Sequence, residues 1–177
     1  MVVTSLGYEG SHVRLCAGIV SYHPDIPRLR QNLEAICSQI DKIFIIDNGS
    51  LNVDAIQALI RGYTNVEFSC LHKNFGIAFA LNRLMEAAQK NDIQYMLLLD
   101  QDSVAGEDMV MKLAQYCSPS VGIVSPVILD RNKNFMTKDT SVNSVIEVSA
   151  AARKGVITSG ALTSVDAWKL VGGFDET

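Results

Sequence analysis

The chain has 177 residues, 48% of them hydrophobic and 19% charged, with a formal net charge of −4. That length suits one domain with a sizeable core that needs no covalent staples. The acidic balance excludes bulk electrostatic capture of nucleic acid and leaves room for a local phosphate site.

Residues 1–14 read as a loose leader, with no basic n-region followed by an apolar run. No window approaches the length of a membrane-spanning helix. Leu15–Val20 is the first predicted strand, ending at Ser21-Tyr22-His23-Pro24. Asp25 and Pro27 then mark a helix start, and Leu29, Leu33, Ile36 and Ile40 recur at helical spacing. Ile43–Asp47 is a second buried strand closing on a carboxylate, with Asn48-Gly49-Ser50 as the turn. A helix through Val53, Ile56, Leu59 and Ile60 leads to a third strand, Val66–Cys70. Asn74-Phe75-Gly76 opens another helix, with Ala78, Leu81, Met85 and Ala88 on one face.

The next strand organises the whole. Tyr95–Leu99 is an apolar run that ends in Asp100-Gln101-Asp102-Ser103. Residues two apart on a strand share a side, so both carboxylates can point into one site. Held together they repel, unless donors or a cation sit between them. Mg²⁺ or Mn²⁺, shared with substrate phosphates, satisfies that requirement. The same pattern also fits Asp100 capping a turn with Asp102 solvated.

A helix over Met109–Cys117 and a strand over Val121–Val124 follow. The polar segment Leu129–Lys154 reads as a long loop or irregular β excursion, and order resumes at Val156–Gly160. Ser164 caps a short helix stopped by Gly172-Gly173. The four cysteines lack metal or redox spacing, which predicts small buried hydrophobes in a reducing cytoplasm.

Repeated strand–helix alternation with continuous apolar strands indicates a mostly parallel α/β sheet sandwiched by helices. Tyr22, Asp47, Asn74 and the acidic pair then gather at the carboxyl edge, where open α/β sheets bind ligands. A dinucleotide-binding domain is excluded, because the turn after the first strand has no glycine. A Mg²⁺-dependent phosphatase of the haloacid dehalogenase type is an alternative, since Asp100–Val104 fits its D-x-D-x-[TV] motif. In that class, however, the pair follows the first strand of the sheet.

Five pieces carry a resemblance: Gly18–Pro24, Ile46–Ser50, Asn74–Ala78 with Asn82, Leu98–Ser103, and Ser159–Leu162 with Gly172–Glu176. In that order they resemble the inverting glycosyltransferases of family 2, which have the Rossmann-like GT-A fold of nucleotide-diphospho-sugar transferases. Within that family they are most similar to bacterial rhamnosyltransferases using dTDP-L-rhamnose. The resemblance implies a GT-A domain over 15–177, a dTDP-sugar or UDP-sugar donor, and a saccharide or lipid-linked glycan acceptor. It further implies cytoplasmic action, with peripheral attachment at the inner face of the membrane if the acceptor is lipid-linked.

For the site, the resemblance implies that Ser21 and Tyr22 line the base pocket and that Asp47 accepts from N3–H of the base. Within the chain alone, Asp47 would instead close an Asx-turn with Gly49. Asn74 and Gly76 would let backbone approach the nucleotide, and Gly160 the donor sugar. Asp100 would contact ribose or a metal-bound water, and Asp102 the metal. Asn82 reads either as part of the site or as a structural amide. The family's general base follows Gly-Gly-Phe-Asp-Glu, so Asp175 and Glu176 are weak substitutes for it, and the chain reads as a fragment that binds donor but transfers sugar poorly. A degenerate, non-catalytic nucleotide-sugar-binding domain is the remaining alternative.

Overall fold

A computed structural model describes residues 13–126 and 156–177. The elements are β1 (Leu15–Ser21), α1 (Ile26–Cys37), β2 (Ile43–Asp47), α2 (Val53–Ile60), β3 (Val66–Cys70), α3 (Ile77–Lys90) and β4 (Tyr95–Asp100). These are followed by α4 (Met109–Ala114), β5 (Ile123–Val124), β6 (Ala161–Ser164) and α5 (Val165–Val171). The strand order is β3-β2-β1-β4-β6-β5. β3, β2, β1 and β4 pair in parallel, whereas β6 runs antiparallel to β4, and β5 antiparallel to β6.

The sheet separates two cores by strand alternation. Ala17, Ile19, Ile43, Ile45, Leu97 and Leu99 face α1, α2 and α4, meeting Leu29, Leu33, Ile56 and Val110. Cys16, Val20, Phe44, Ile46, Met96 and Leu98 face α3, meeting Ala80, Leu84, Met85 and Ala88. β3, at the sheet edge, is only half covered, and its residues alternate between partly buried and exposed.

Helix signals in the sequence act as expected. The Asp25 side chain caps α1 by accepting from Arg28 N at 2.8 Å, with Pro27 in the first turn. Ser164 Oγ caps α5 by accepting from Ala167 N at 3.2 Å, and Gly172 ends the helix in the left-handed region.

Three boundaries differ from expectation. Arg14 already belongs to the body: its N–H donates to Gln94 Oε1 at 3.0 Å, and its Nε donates to the Asp92 carbonyl. Where order was expected to resume, over Val156–Gly160, regular structure begins only at Ala161, because Gly160 turns the chain at φ 82° and donates to the Leu98 carbonyl at 2.7 Å. The fifth strand shrinks to Ile123–Val124. The remainder of the leader and the long polar segment Leu129–Lys154 lie outside the described residues. Among the described residues, no helix is long and apolar enough to cross a membrane.

Candidate active site

From β1 the chain moves outward through β2 to β3, then returns to place β4 on the other side of β1. The strand order therefore reverses between β1 and β4, and the crevice at such a point is where open α/β sheets hold ligands. The parallel register sets Ser21 level with Asp47, and Val20 level with Asp100. Each functional loop thus starts at one height along the carboxyl edge.

At that edge Asp100 ends β4, whereas Asp102 stands in the turn after it and not on the strand as the sequence suggested. The backbone here is fixed: Asp100 N donates to Ser159 Oγ at 3.1 Å, and the Asp100 carbonyl receives Asn32 Nδ2 at 2.7 Å. Ser103 N donates to the same carbonyl at 3.2 Å, and Ser103 Oγ lies 2.7 Å from Ser159 Oγ. Arg28 Nε donates to the Asp102 carbonyl at 2.7 Å. Both aspartates are exposed or partly exposed at their side chains, and neither carboxylate receives a hydrogen bond from a described residue. No group of three or more His, Cys, Asp or Glu that could hold a metal occurs among the described residues. Asp100 and Asp102 each offer unbonded carboxylate oxygens, the hard donor type that divalent ions such as Mg²⁺ take.

Asp47 departs from its expected role. It is fully buried, at 0% exposure. Its Oδ1 receives Ser50 N at 2.9 Å, Gly49 N at 3.3 Å and Cys70 Sγ at 3.4 Å. Its Oδ2 receives Ser21 Oγ at 3.1 Å and also the Ser50 hydroxyl. Five donors meet a carboxylate with about four lone-pair sites. This is the Asx-turn arrangement, with all five donors supplied by the chain itself. Ser21 is likewise fully buried, and its hydroxyl donates to Asp47. Desolvation, the largest effect, raises the Cys70 thiol pKa, and its contact with Asp47 adds to the rise.

Tyr22 remains at the surface, 44% exposed, with its ring 4.2 Å from that of His23. Its backbone N–H donates to Gln101 Oε1 at 2.8 Å, which ties the loop after β1 to the acidic turn. His23 N donates to Ser50 Oγ at 2.8 Å, and His23 Nδ1 accepts from Leu51 N at 3.1 Å. His23 is thus a loop anchor. Asn48, buried, spans to the third loop: its Nδ2 donates to Asn74 Oδ1 at 3.0 Å, and its Oδ1 receives Phe75 N at 3.0 Å. Asn74 Oδ1 also receives Gly76 N at 2.8 Å, so the Asn74 side chain shapes the entry to α3. Gly76 is exposed, and nothing lies within 4 Å of the place where a Cβ would stand.

Gly49 is held by that same contact. It sits at φ 90°, and a Cβ there would lie 2.7 Å from the Lys73 carbonyl carbon and 2.8 Å from Lys73 Cα. Gly49→Ala is expected to cost on the order of 2–3 kcal/mol, read as a lower midpoint in urea unfolding. An unchanged midpoint would show that the loops are not in contact.

Gly160 also differs from expectation. It is buried, and a Cβ there would stand 3.1 Å from Pro126 Cγ. Its neighbours Thr158 and Ser159 reach the crevice instead. They join Val20, Leu81 and Leu98, with Ile77, Ile157 and Asp100 at the mouth, in lining a pocket of about 290 Å³.

Asn82 is the hub of the carboxyl-terminal segment. Its Oδ1 receives Trp168 Nε1 at 2.9 Å and Phe174 N at 2.8 Å. Its Nδ2 donates to the Phe174 carbonyl at 2.9 Å and to Glu176 Oε1 at 2.6 Å. The structural-amide alternative is therefore the observed one, and Trp168 is tied into the same cluster. Removing the amide in Asn82→Ala is expected to cost about 1–2 kcal/mol. Trp168, the sole tryptophan of the chain, reports it: its emission should shift to the red while far-ultraviolet circular dichroism stays the same. Asp175 Oδ1 receives Thr177 N at 3.0 Å and Thr177 Oγ1 at 2.6 Å, and these bonds hold its carboxyl below the ordinary carboxylate range. That makes Asp175 a weaker proton acceptor than an unperturbed carboxylate.

Asn48, Ser50, Gln101, Ser159, Arg28 and Asn32 organise the site without having been singled out in the sequence. Gln101 and Asn48 stood inside motifs already noted, and only their partners, 79 and 26 residues away, reveal their work.

Comparison with known proteins agrees with this geometry. The family model described as glycosyl transferase family 2 matches residues 17–156. The chain is also similar to the dTDP-rhamnosyl transferase RfbF of Shigella flexneri, with 25% identity over 170 residues. That match covers 90% of this chain and 57% of the relative, so the chain spans little more than half the length of the curated relative it matches. The matched residues hold β2, β3, β4 and most of β1, together with the reversal of strand order beside β1 and the acidic turn at that reversal, and the chain belongs to glycosyl transferase family 2.

Proposed function

We propose that this chain forms the donor-binding part of a glycosyltransferase that uses dTDP-L-rhamnose with Mg²⁺ or Mn²⁺ and transfers the sugar to a glycan or lipid-linked acceptor with inversion. The observation that carries the reading is the acidic turn: Asp100 and Asp102 keep unbonded carboxylates on a backbone pinned by Asn32, Ser159 and Arg28. Such a turn is built to meet a ligand, because free carboxylates on a mobile loop would have to be ordered first. The similarity to a dTDP-rhamnosyl transferase supports the choice of donor.

In this reading Asp102 and Asp100 would hold the cation, which when bound would supply positive charge against the leaving diphosphate. Tyr22, fixed by Gln101, presents its exposed ring at the edge of the base site. Gly76 leaves open space at the entry to α3, where backbone can come close to the nucleotide. Asp47 shapes the floor beneath them through the turn it closes. The attacking hydroxyl must lose its proton to a base within hydrogen-bond reach, and Asp175 and Glu176 are weak candidates for it, Glu176 being paired to Asn82.

The test is calorimetric titration of dTDP-L-rhamnose, dTDP and a UDP-sugar into the protein, with and without Mn²⁺. Cation-dependent binding of the dTDP ligands, tighter than any UDP-sugar, is expected. Preference for the UDP-sugar would discard rhamnose, and no nucleotide binding by folded protein would overturn the donor-binding reading. The family match leaves the phosphatase alternative without support, since its nucleophile pair belongs on a first strand and this pair ends β4.

A further inference from the structure

The pocket beside Asp100 has a composition that the acidic turn alone does not explain. Val20, Leu81, Leu98 and Leu99 give it a buried aliphatic lining. It is flanked by Ile77 and Ile157, which are 57% and 63% exposed among the described residues. Its polar lining comes from Asp100, Thr158 and Ser159. Ser159 is already committed to Asp100 N and Ser103 Oγ.

At about 290 Å³ the pocket is at the small end for ligand sites, suited to one ring and not to a whole nucleotide sugar. It opens next to Asp100, so the group that enters it is the one attached to a diphosphate held by the acidic turn. A hexosyl group carries a hydroxyl on carbon 6 that would find no partner on the side chains of Ile77, Leu81 and Leu98. In a 6-deoxyhexosyl group carbon 6 is a methyl, and placing that carbon on aliphatic carbon strands no hydroxyl there.

Resting on the donor reading above, we propose that this pocket selects a 6-deoxyhexosyl group by burying its methyl carbon against Ile77, Leu81 and Leu98, and so rejects the 6-hydroxy counterpart. Ile77 sets the selectivity, because it stands at the mouth on the first turn of α3 and can be changed without opening the core. A hydroxyl forced into an aliphatic pocket is disfavoured by about tenfold to a hundredfold.

The experiment compares dTDP-L-rhamnose with dTDP-L-mannose, its 6-hydroxy counterpart, by calorimetry in Mn²⁺, with dTDP reporting the nucleotide site alone. The rhamnosyl donor is expected to bind ten to a hundred times more tightly. In Ile77→Asn, whose amide can pair with the added hydroxyl, that ratio should fall to within about threefold of unity. Equal binding of the two sugars by the parent protein, alongside normal dTDP binding, overturns the methyl pocket and leaves the donor reading standing. A preference that persists undiminished in Ile77→Asn overturns its assignment to this pocket. Absence of dTDP binding in folded protein overturns the donor reading and this proposal with it.

Discussion

Asp102→Ala is expected to remove the Mn²⁺-dependent part of dTDP binding, weakening the affinity in Mn²⁺ by about a hundredfold or more, since loss of groups merely supporting a metal ligand already costs 10–100-fold. The folded state should barely notice. The Asp102 side chain is exposed, and its described hydrogen bond is made by its backbone carbonyl, which the substitution retains. Surface changes of this kind stay within about 0.5 kcal/mol, or roughly 2 °C in melting temperature for a chain of this size. Thermal unfolding and calorimetry on the same preparation separate the two effects. Binding in Mn²⁺ that survives the substitution would show that the cation, if used, is held elsewhere.

The second large effect has the opposite pattern. Asp47→Ala is expected to destabilise the fold by about 3–5 kcal/mol, because it strands buried donors that now share one carboxylate. For a chain of this length that corresponds to a fall in melting temperature of roughly 10 °C. Gly49 N, Ser50 N, Ser21 Oγ and Cys70 Sγ would lose their common acceptor, and three loops would lose their shared anchor. A variant that melts normally yet no longer binds dTDP would instead return Asp47 to direct contact with the base.

These two aspartates show how far the sequence could be read. Asp47 closes β2 and Asp102 stands in the turn directly after β4, and both positions were legible from the hydrophobic runs that precede them. Their roles were not. Whether a strand-end carboxylate is free or saturated depends on partners such as Ser21 and Cys70, which lie 26 and 23 residues from Asp47. The parallel strands β1, β2 and β4 were legible because both faces are covered and the apolar run is unbroken. β6 was not, since Ala161-Leu162-Thr163-Ser164 carries no such run and its antiparallel direction follows from pairing with β4. The family resemblance rested on five short pieces, and the family match over 17–156 bears it out.

The edge loops are linked in the same order as their strands. Gln101 joins the β4 loop to that of β1, His23 and Ser50 join β1 to β2, and Asn48 and Asn74 join β2 to β3. A disturbance in the acidic turn can therefore be passed, side chain by side chain, to the far side of the sheet, and paired substitutions along this line should be non-additive although their positions are distant in sequence. Ile77 and Ile157 make none of these links. Evolution or an engineer could exchange them to admit a different sugar while the nucleotide end of the crevice keeps its shape.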